Sequence, residues 1–284
     1  MLKTKKLTRF TVAVLVLVLG LLPMAVSACS SQASKKVTVV KVGITSDDPR
    51  IWDAVAKNLA KENIQLQTVR FSSVATPNKA LADGEIDLNS FQHYAYFNQN
   101  KKDLNLDLTA VGETIIVPLS LFSKKIKSVD ELTTGAKIAI PNDPPNTGRA
   151  LNVLQNAGVI KLKEGAGATP TVKDITNNPK KIQFVTMAQA QLPRSLGDVD
   201  AAIINCGYAV TAGLDPDKDA IYKDQVDLTN PNQQPYINIF AARTKDKDNP
   251  VYKKVVEAYQ SDNVAQVLKV IFKGAAIPVW TVKK

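Results

Sequence analysis

The stretch from residue 37 to residue 71 constrains the fold more than any other part of the chain. VTVVKVGIT (37–45) is short, apolar and β-branched, which suits a strand buried on both faces. SDDPRIWDAVAKNLAKEN follows, with Asp48 able to cap a helix, Pro49 suited to its first turn, and Ile51, Ala54, Val55 and Leu59 on one face. IQLQTVRF then returns as a second strand. Strand, helix and strand at this spacing leave little room for anything but a parallel crossover, so an α/β fold is expected.

Two later segments read as one device used twice. Gly84-Glu85-Ile86-Asp87 aligns with Gly197-Asp198-Val199-Asp200, and the apolar runs that follow end at Gln92-His93 and at Asn205-Cys206. Any helix-to-strand turn favours Gly and Asp, so the match is short on its own terms. Ligands of open α/β sheets nevertheless bind beyond the carboxyl ends of strands, and two such ends suit a ligand held between two similar lobes. A third element, AKIAIPNDPPNTGRALNVLQNAG, reads as strand, turn and helix stopped by Gly158. Its helix N-terminus, with free N–H groups and Arg149, is an expected anion site; the plainer alternative is a surface arginine in the first helical turn.

The first 28 residues stand apart from this pattern. MLKTKKLTR carries four basic residues and no acid, FTVAVLVLVLGLL is an apolar run, and PMAVSAC closes with small residues, the order of a secretory signal. The apolar run is short for a membrane span, which disfavours a transmembrane anchor. VSAC resembles a bacterial lipobox, implying cleavage before Cys29 and lipidation of that residue, with 29–36 as a lipidated cysteine and flexible tether. Removing residues 1–28 lowers the formal charge from +10 to +6. The remaining Lys and Arg residues are interspersed with acids, which argues against a nucleic-acid surface and fits a protein beside an anionic membrane. Cys206 then has no disulfide partner and is expected to be buried or at a site.

Catalytic and metal chemistry find little support. The chain has one histidine, His93, inside the aromatic stretch NSFQHYAYF. No G-x-S-x-G or P-loop pattern is present, and one His with two Cys cannot build a zinc site without several carboxylates. The expectation is a non-enzyme with no metal and no cofactor.

FQHYAYF, VGETIIVPLSLFSKKIKSVDEL, IPNDPPNTGRAL, QLPRSLGDVDAAIIN and PYINIFAAR occur in an order that resembles the MetQ/NlpA family, the substrate-binding lipoproteins of methionine ABC importers. The resemblance covers nearly the whole mature chain. It implies a two-lobed, type II periplasmic-binding-protein-like fold, each lobe a mostly parallel sheet flanked by helices, with the ligand in the interlobe cleft. Residues 37–115 plus 230–284 would form lobe I and 116–229 lobe II. Phe91, His93, Tyr96, Asn146, Arg149, Asn205 and Asn238 are the implied ligand contacts: Arg149 for an α-carboxylate, Asn205 and Asn238 for an α-ammonium, and the aromatics with His93 around the side chain. Implied partners are a permease, its ATPase and the membrane, for a monomer that is extracytoplasmic and lipid-anchored. The family pattern usually has Tyr where Val74 stands, a Lys-Pro or similar pair after FQH where Tyr94-Ala95 stands, and a hydroxyl or amide residue where Cys206-Gly207 stands. These departures keep a methionine-containing dipeptide or another apolar amino acid open as the ligand. The alternative of another class is a surface adhesion lipoprotein.

Overall fold

A computed structural model describes residues 37–45, 48–167 and 169–281. Cys29, the leader and the tether lie outside the described residues, and no described helix is long and apolar enough to cross a membrane.

Two five-stranded sheets organise the chain, and they share one plan. The first has the order Ile64–Arg70, Thr38–Ile44, Leu88–His93, Asn238–Arg243, Leu108–Glu113. The second has the order Gln183–Met187, Lys137–Pro141, Ala201–Asn205, Leu119–Phe122, Ala220–Lys223. In each, three neighbouring strands pair in parallel and the fourth runs against both its neighbours, so four strands point one way and one is reversed. The reversed strand is the one that enters from the other sheet, which is why the sheets are mixed. Chain crosses between them at 114–118 and 224–237, and the first crossing is tied to the strand that follows the second: Thr114 donates its N–H to the carbonyl of Asn238 at 2.8 Å. The fold is therefore α/β and two-lobed.

The repeated Gly-Asp device has a shared physical role. Asp87 accepts the backbone N–H of Lys41 at 2.8 Å, and Asp200 accepts the backbone N–H of Lys137, also at 2.8 Å. Each Asp also donates its own N–H to the same lysine carbonyl at 2.9 Å. In both sheets the Asp thus clamps a lysine of the neighbouring parallel strand, Lys41 in mid-strand and Lys137 at the strand's first residue, one residue before regular pairing begins. The glycines differ: Gly84 ends the Pro77–Asp83 helix at φ +82°, whereas Gly197 needs no positive φ. Arg243 braces the first copy, donating to the carbonyls of Leu81 and Ile86 at 3.0 and 2.7 Å.

The first helix spans Arg50–Leu59, with Asp48 accepting the N–H of Arg50 at 3.0 Å. Ile51, Val55 and Leu59 are buried as its periodicity predicts, while Ala54 is only partly covered and Trp52 takes the remaining inward position. Phe240 meets Trp52 and Tyr259 edge to face at centroid distances of 6.1 and 5.4 Å, and Trp52 and Tyr259 are tilted against each other at 5.8 Å. Burying such rings contributes about 1.5–3 kcal/mol each. Gly112 lets the Pro250–Tyr259 helix lie close to its sheet, since a Cβ there would stand 2.5 Å from Val256 Cγ1. The second sheet builds its own core from Leu119, Leu121, Ile138, Ile140, Leu151, Leu154 and Ile203, all fully buried.

Candidate functional site

Strands Leu88–His93 and Ala201–Asn205 each run directly into a helix, Tyr94–Asp103 and Cys206–Thr211. His93 and Asn205 therefore occupy the same position, the N-cap, in their respective lobes. They use it differently. His93 Nδ1 accepts the N–H of Tyr96 at 3.1 Å, which leaves Nε2 to carry the proton and donate to Asn146 Oδ1 at 3.2 Å. Burial, helped by the nearby Arg149 charge, lowers the His93 pKa to about 4, so the ring is neutral at physiological pH. Asn205 does not cap its helix with its side chain. Its Nδ2 donates to Asn146 Oδ1 at 2.8 Å, and its Oδ1 is buried without a partner among the described residues.

Asn146 and Arg149 come from the Pro144–Asn156 helix. The expected anion site of free N–H groups at its N-terminus is corrected by the structure. Pro144 and Pro145 have no N–H, Asp143 Oδ1 accepts the N–H of Asn146 at 3.1 Å, and Thr147 donates its N–H to the Asp143 carbonyl at 2.8 Å. A carboxylate already fills that end of the helix. The alternative of a surface arginine in the first turn is corrected too: Arg149 is the sixth helical residue, in the second turn, and only 4% exposed. Its Nη2 donates to the Val117 carbonyl at 2.8 Å and to Asp224 Oδ2 at 3.3 Å, and its guanidinium carbon lies 4.5 Å from the Tyr236 ring centroid. Val117 and Tyr236 belong to the two crossings, so this one side chain touches both. Arg149 Nε is buried and has no partner among the described residues.

These groups surround a cavity of about 730 Å³. Phe91, His93, Tyr96, Asn146, Arg149, Asn205 and Asn238 all line it. Phe91 and Tyr96 stand edge to face at 6.1 Å, and Tyr96 is held by a 2.9 Å bond from its hydroxyl to the Val74 carbonyl. Asn238 donates Nδ2 to the Ile115 carbonyl at 3.1 Å, which turns its oxygen the other way. Burial keeps the Tyr96 phenol protonated by raising its pKa. Cys206 is a buried free thiol on the same wall, its pKa pushed up to about 12 by burial. A thiol with that pKa is no nucleophile at neutral pH. Behind the wall, Asn78, Asn89 and Gln92 are buried and satisfy one another through four amide hydrogen bonds of 2.6–2.9 Å. That network fixes the strand that carries Phe91 and His93.

The model of the NlpA lipoprotein family matches residues 40–280. The chain belongs to the NlpA lipoprotein family. It is similar to the D-methionine-binding lipoprotein MetQ of Escherichia coli K12, 41% identical over 261 residues that cover 90% of this chain and 94% of the relative. Among solved structures it resembles a nutrient binding protein from Burkholderia cenocepacia bound to methionine, with 45% identity, a TM-score of 0.79, and coverage of 84% of this chain and 99% of that one. It also resembles the substrate binding protein of a methionine transporter from Streptococcus pneumoniae, at 35% identity, a TM-score of 0.79, and coverage of 85% and 96%.

This NlpA-family chain uses residues that sequence reading did not single out. Asp224 and Tyr236 hold Arg149, Gln189 donates to Asp143 Oδ2 at 2.8 Å, and Trp52, Ile271 and Phe272 add to the lining of the cavity. Tyr236 stood beside Asn238 in PYIN and was within reach of a motif search. Asp224 carried no signal, because it meets Arg149 from 75 residues away.

Proposed function

We infer that this chain is the membrane-anchored substrate-binding lipoprotein of an ABC importer, capturing methionine, L- and also D-, and delivering it to a permease driven by a partner ATPase. The lipid sits on Cys29, and the protein works as an extracytoplasmic monomer without catalysing a reaction. One observation carries the reading: the cavity wall holds a buried donor, Arg149 Nε, and a buried acceptor, Asn205 Oδ1, that have no partner among the described residues. Leaving such groups unsatisfied costs about 1–3 kcal/mol each, and more for a charged one. A zwitterionic α-amino acid satisfies both, its carboxylate on Arg149 and its ammonium on Asn205, with Asn238 and Asn146 completing the polar end. His93, neutral, serves as wall and hydrogen-bond partner, not as a base. Phe91 and Tyr96 present ring edges to a thioether, which contributes about 0.3–1.5 kcal/mol over an aliphatic chain. The names of the relatives support methionine as that amino acid.

A methionine-containing dipeptide is the second reading. It is favoured by a cavity larger than one amino acid needs, and by Gly207, beside which a Cβ would meet nothing within 4 Å. Calorimetry on the whole chain, unfolded and refolded to strip carried-over ligand, tests both against L-methionine, D-methionine, leucine, glutamine and a methionine dipeptide. Tight binding of methionine alone is the expected result. Binding of the dipeptide alone moves the assignment to the second reading, and binding of none returns the lead to adhesion.

A further inference from the structure

We propose that Asp224 is a specificity-determining residue that acts through Arg149, balancing its charge so that the cleft selects a net-neutral, zwitterionic ligand over an N-acylated, anionic one. The inference rests on the reading above, in which Arg149 receives a carboxylate. Among the described residues, the charged side chains lining the cavity are Arg149 and the pair Asp48 and Arg50, which meet at 2.5 Å. His93 is neutral. Asp143 lies behind Asn146, where three N–H groups and the helix N-terminus offset its charge. Among the described residues, no carboxylate other than the Arg50-paired Asp48 lines the cavity, and neutral amides meet the ligand ammonium. The balance of the anchor falls on Asp224.

Asp224 is not among the lining residues; it stands behind the guanidinium, 14% exposed, with Oδ2 at 3.3 Å from Arg149 Nη2. Its backbone is fixed by an N–H bond to the Leu119 carbonyl at 3.1 Å, in the strand that leaves the first crossing. The flanking Lys223 turns away to Asp217. With Asp224 ionised, anchor and pair are neutral together, and a zwitterion enters without changing the net charge of a desolvated site. An N-acylated amino acid brings one uncompensated negative charge into the same space. Removing the Asp224 charge reverses that order, because Arg149 alone then matches an anion.

The test compares L-methionine with N-acetyl-L-methionine by calorimetry on the whole chain, in wild type, Asp224→Asn and Asp224→Glu. The acetyl group is equally bulky for every variant, so the ratio of the two affinities isolates the charge. Asp224→Asn is expected to move that ratio towards N-acetylmethionine by at least about tenfold, the size of one screened charge nearby. Asp224→Glu is expected to keep the wild-type ratio. Equal weakening of both ligands by Asp224→Asn, or the same change in both variants, overturns the proposal in favour of packing. If Asp224→Asn does not fold, Asp224→Ser provides a second neutral side chain with the same readout. Failure of wild type to bind methionine at all refutes the underlying reading and is distinct from either result.

Discussion

Replacing Arg149 by Ala removes a side chain that is 4% exposed and bonded to Val117, Asp224 and the Tyr236 face. Two losses follow, and they are separable. In the free protein, Asp224 is left as a carboxylate only 14% exposed with its cation gone, and breaking such a pair costs about 3–5 kcal/mol. Burial already raises the Asp224 pKa and Arg149 is what pulls it down, so in the variant only the upward pull remains. A carboxyl whose folded pKa lies above its unfolded value holds its proton where the unfolded chain has lost it. Stability then falls as pH rises through that window, and the penalty is greatest at neutral pH. In the complex, the ligand carboxylate loses its counter-charge, and the same 3–5 kcal/mol amounts to about two to four decades of affinity. Urea melts at pH 4 and pH 7 read the first loss, and calorimetry with L-methionine reads the second. Adding Asp224→Asn to Arg149→Ala is expected to restore much of the stability and none of the affinity. An affinity loss below tenfold refutes Arg149 as the anchor; a pH-independent penalty refutes the account of Asp224.

Three further outcomes are expected. His93 is held near pKa 4 against about 6.5 when unfolded, so the unfolded chain binds the extra proton between those values. Wild-type stability should therefore drop by up to about 3 kcal/mol as pH falls from 6.5 to 4, a slope that His93→Gln abolishes in acid melts; an unchanged slope counts against the buried neutral ring. Asp87→Ala and Asp200→Ala each leave a strand N–H, of Lys41 and of Lys137, without its acceptor and should cost about 1–3 kcal/mol in urea unfolding. A cost near zero for either rejects the clamp. Cys206 should resist iodoacetamide at pH 8 in the native protein and react once unfolded, as read by peptide mapping; rapid native labelling contradicts its burial.

The strand–helix–strand alternation determined the α/β class, because side-chain periodicity and turn residues are local properties that neighbouring residues impose on one another. The same locality made the doubled Gly-Asp device readable at 84–87 and 197–200, while Phe91, His93, Tyr96, Asn146, Arg149, Asn205 and Asn238 came into consideration through the family resemblance that short motifs carry. Where a reading depended on what stands opposite, tertiary structure decided it. The N-terminus of the Pro144–Asn156 helix looked open to an anion, yet the Asp143 side chain occupies it. Arg149 looked like a residue of the first turn and lies buried against both crossings. The reversed strand in each sheet, the reach of Gln189 to Asp143, and above all the pairing of Arg149 with Asp224 join residues far apart in the chain. Their energies arise from desolvation and from partners brought close only by folding, so no spacing rule along the chain encodes them.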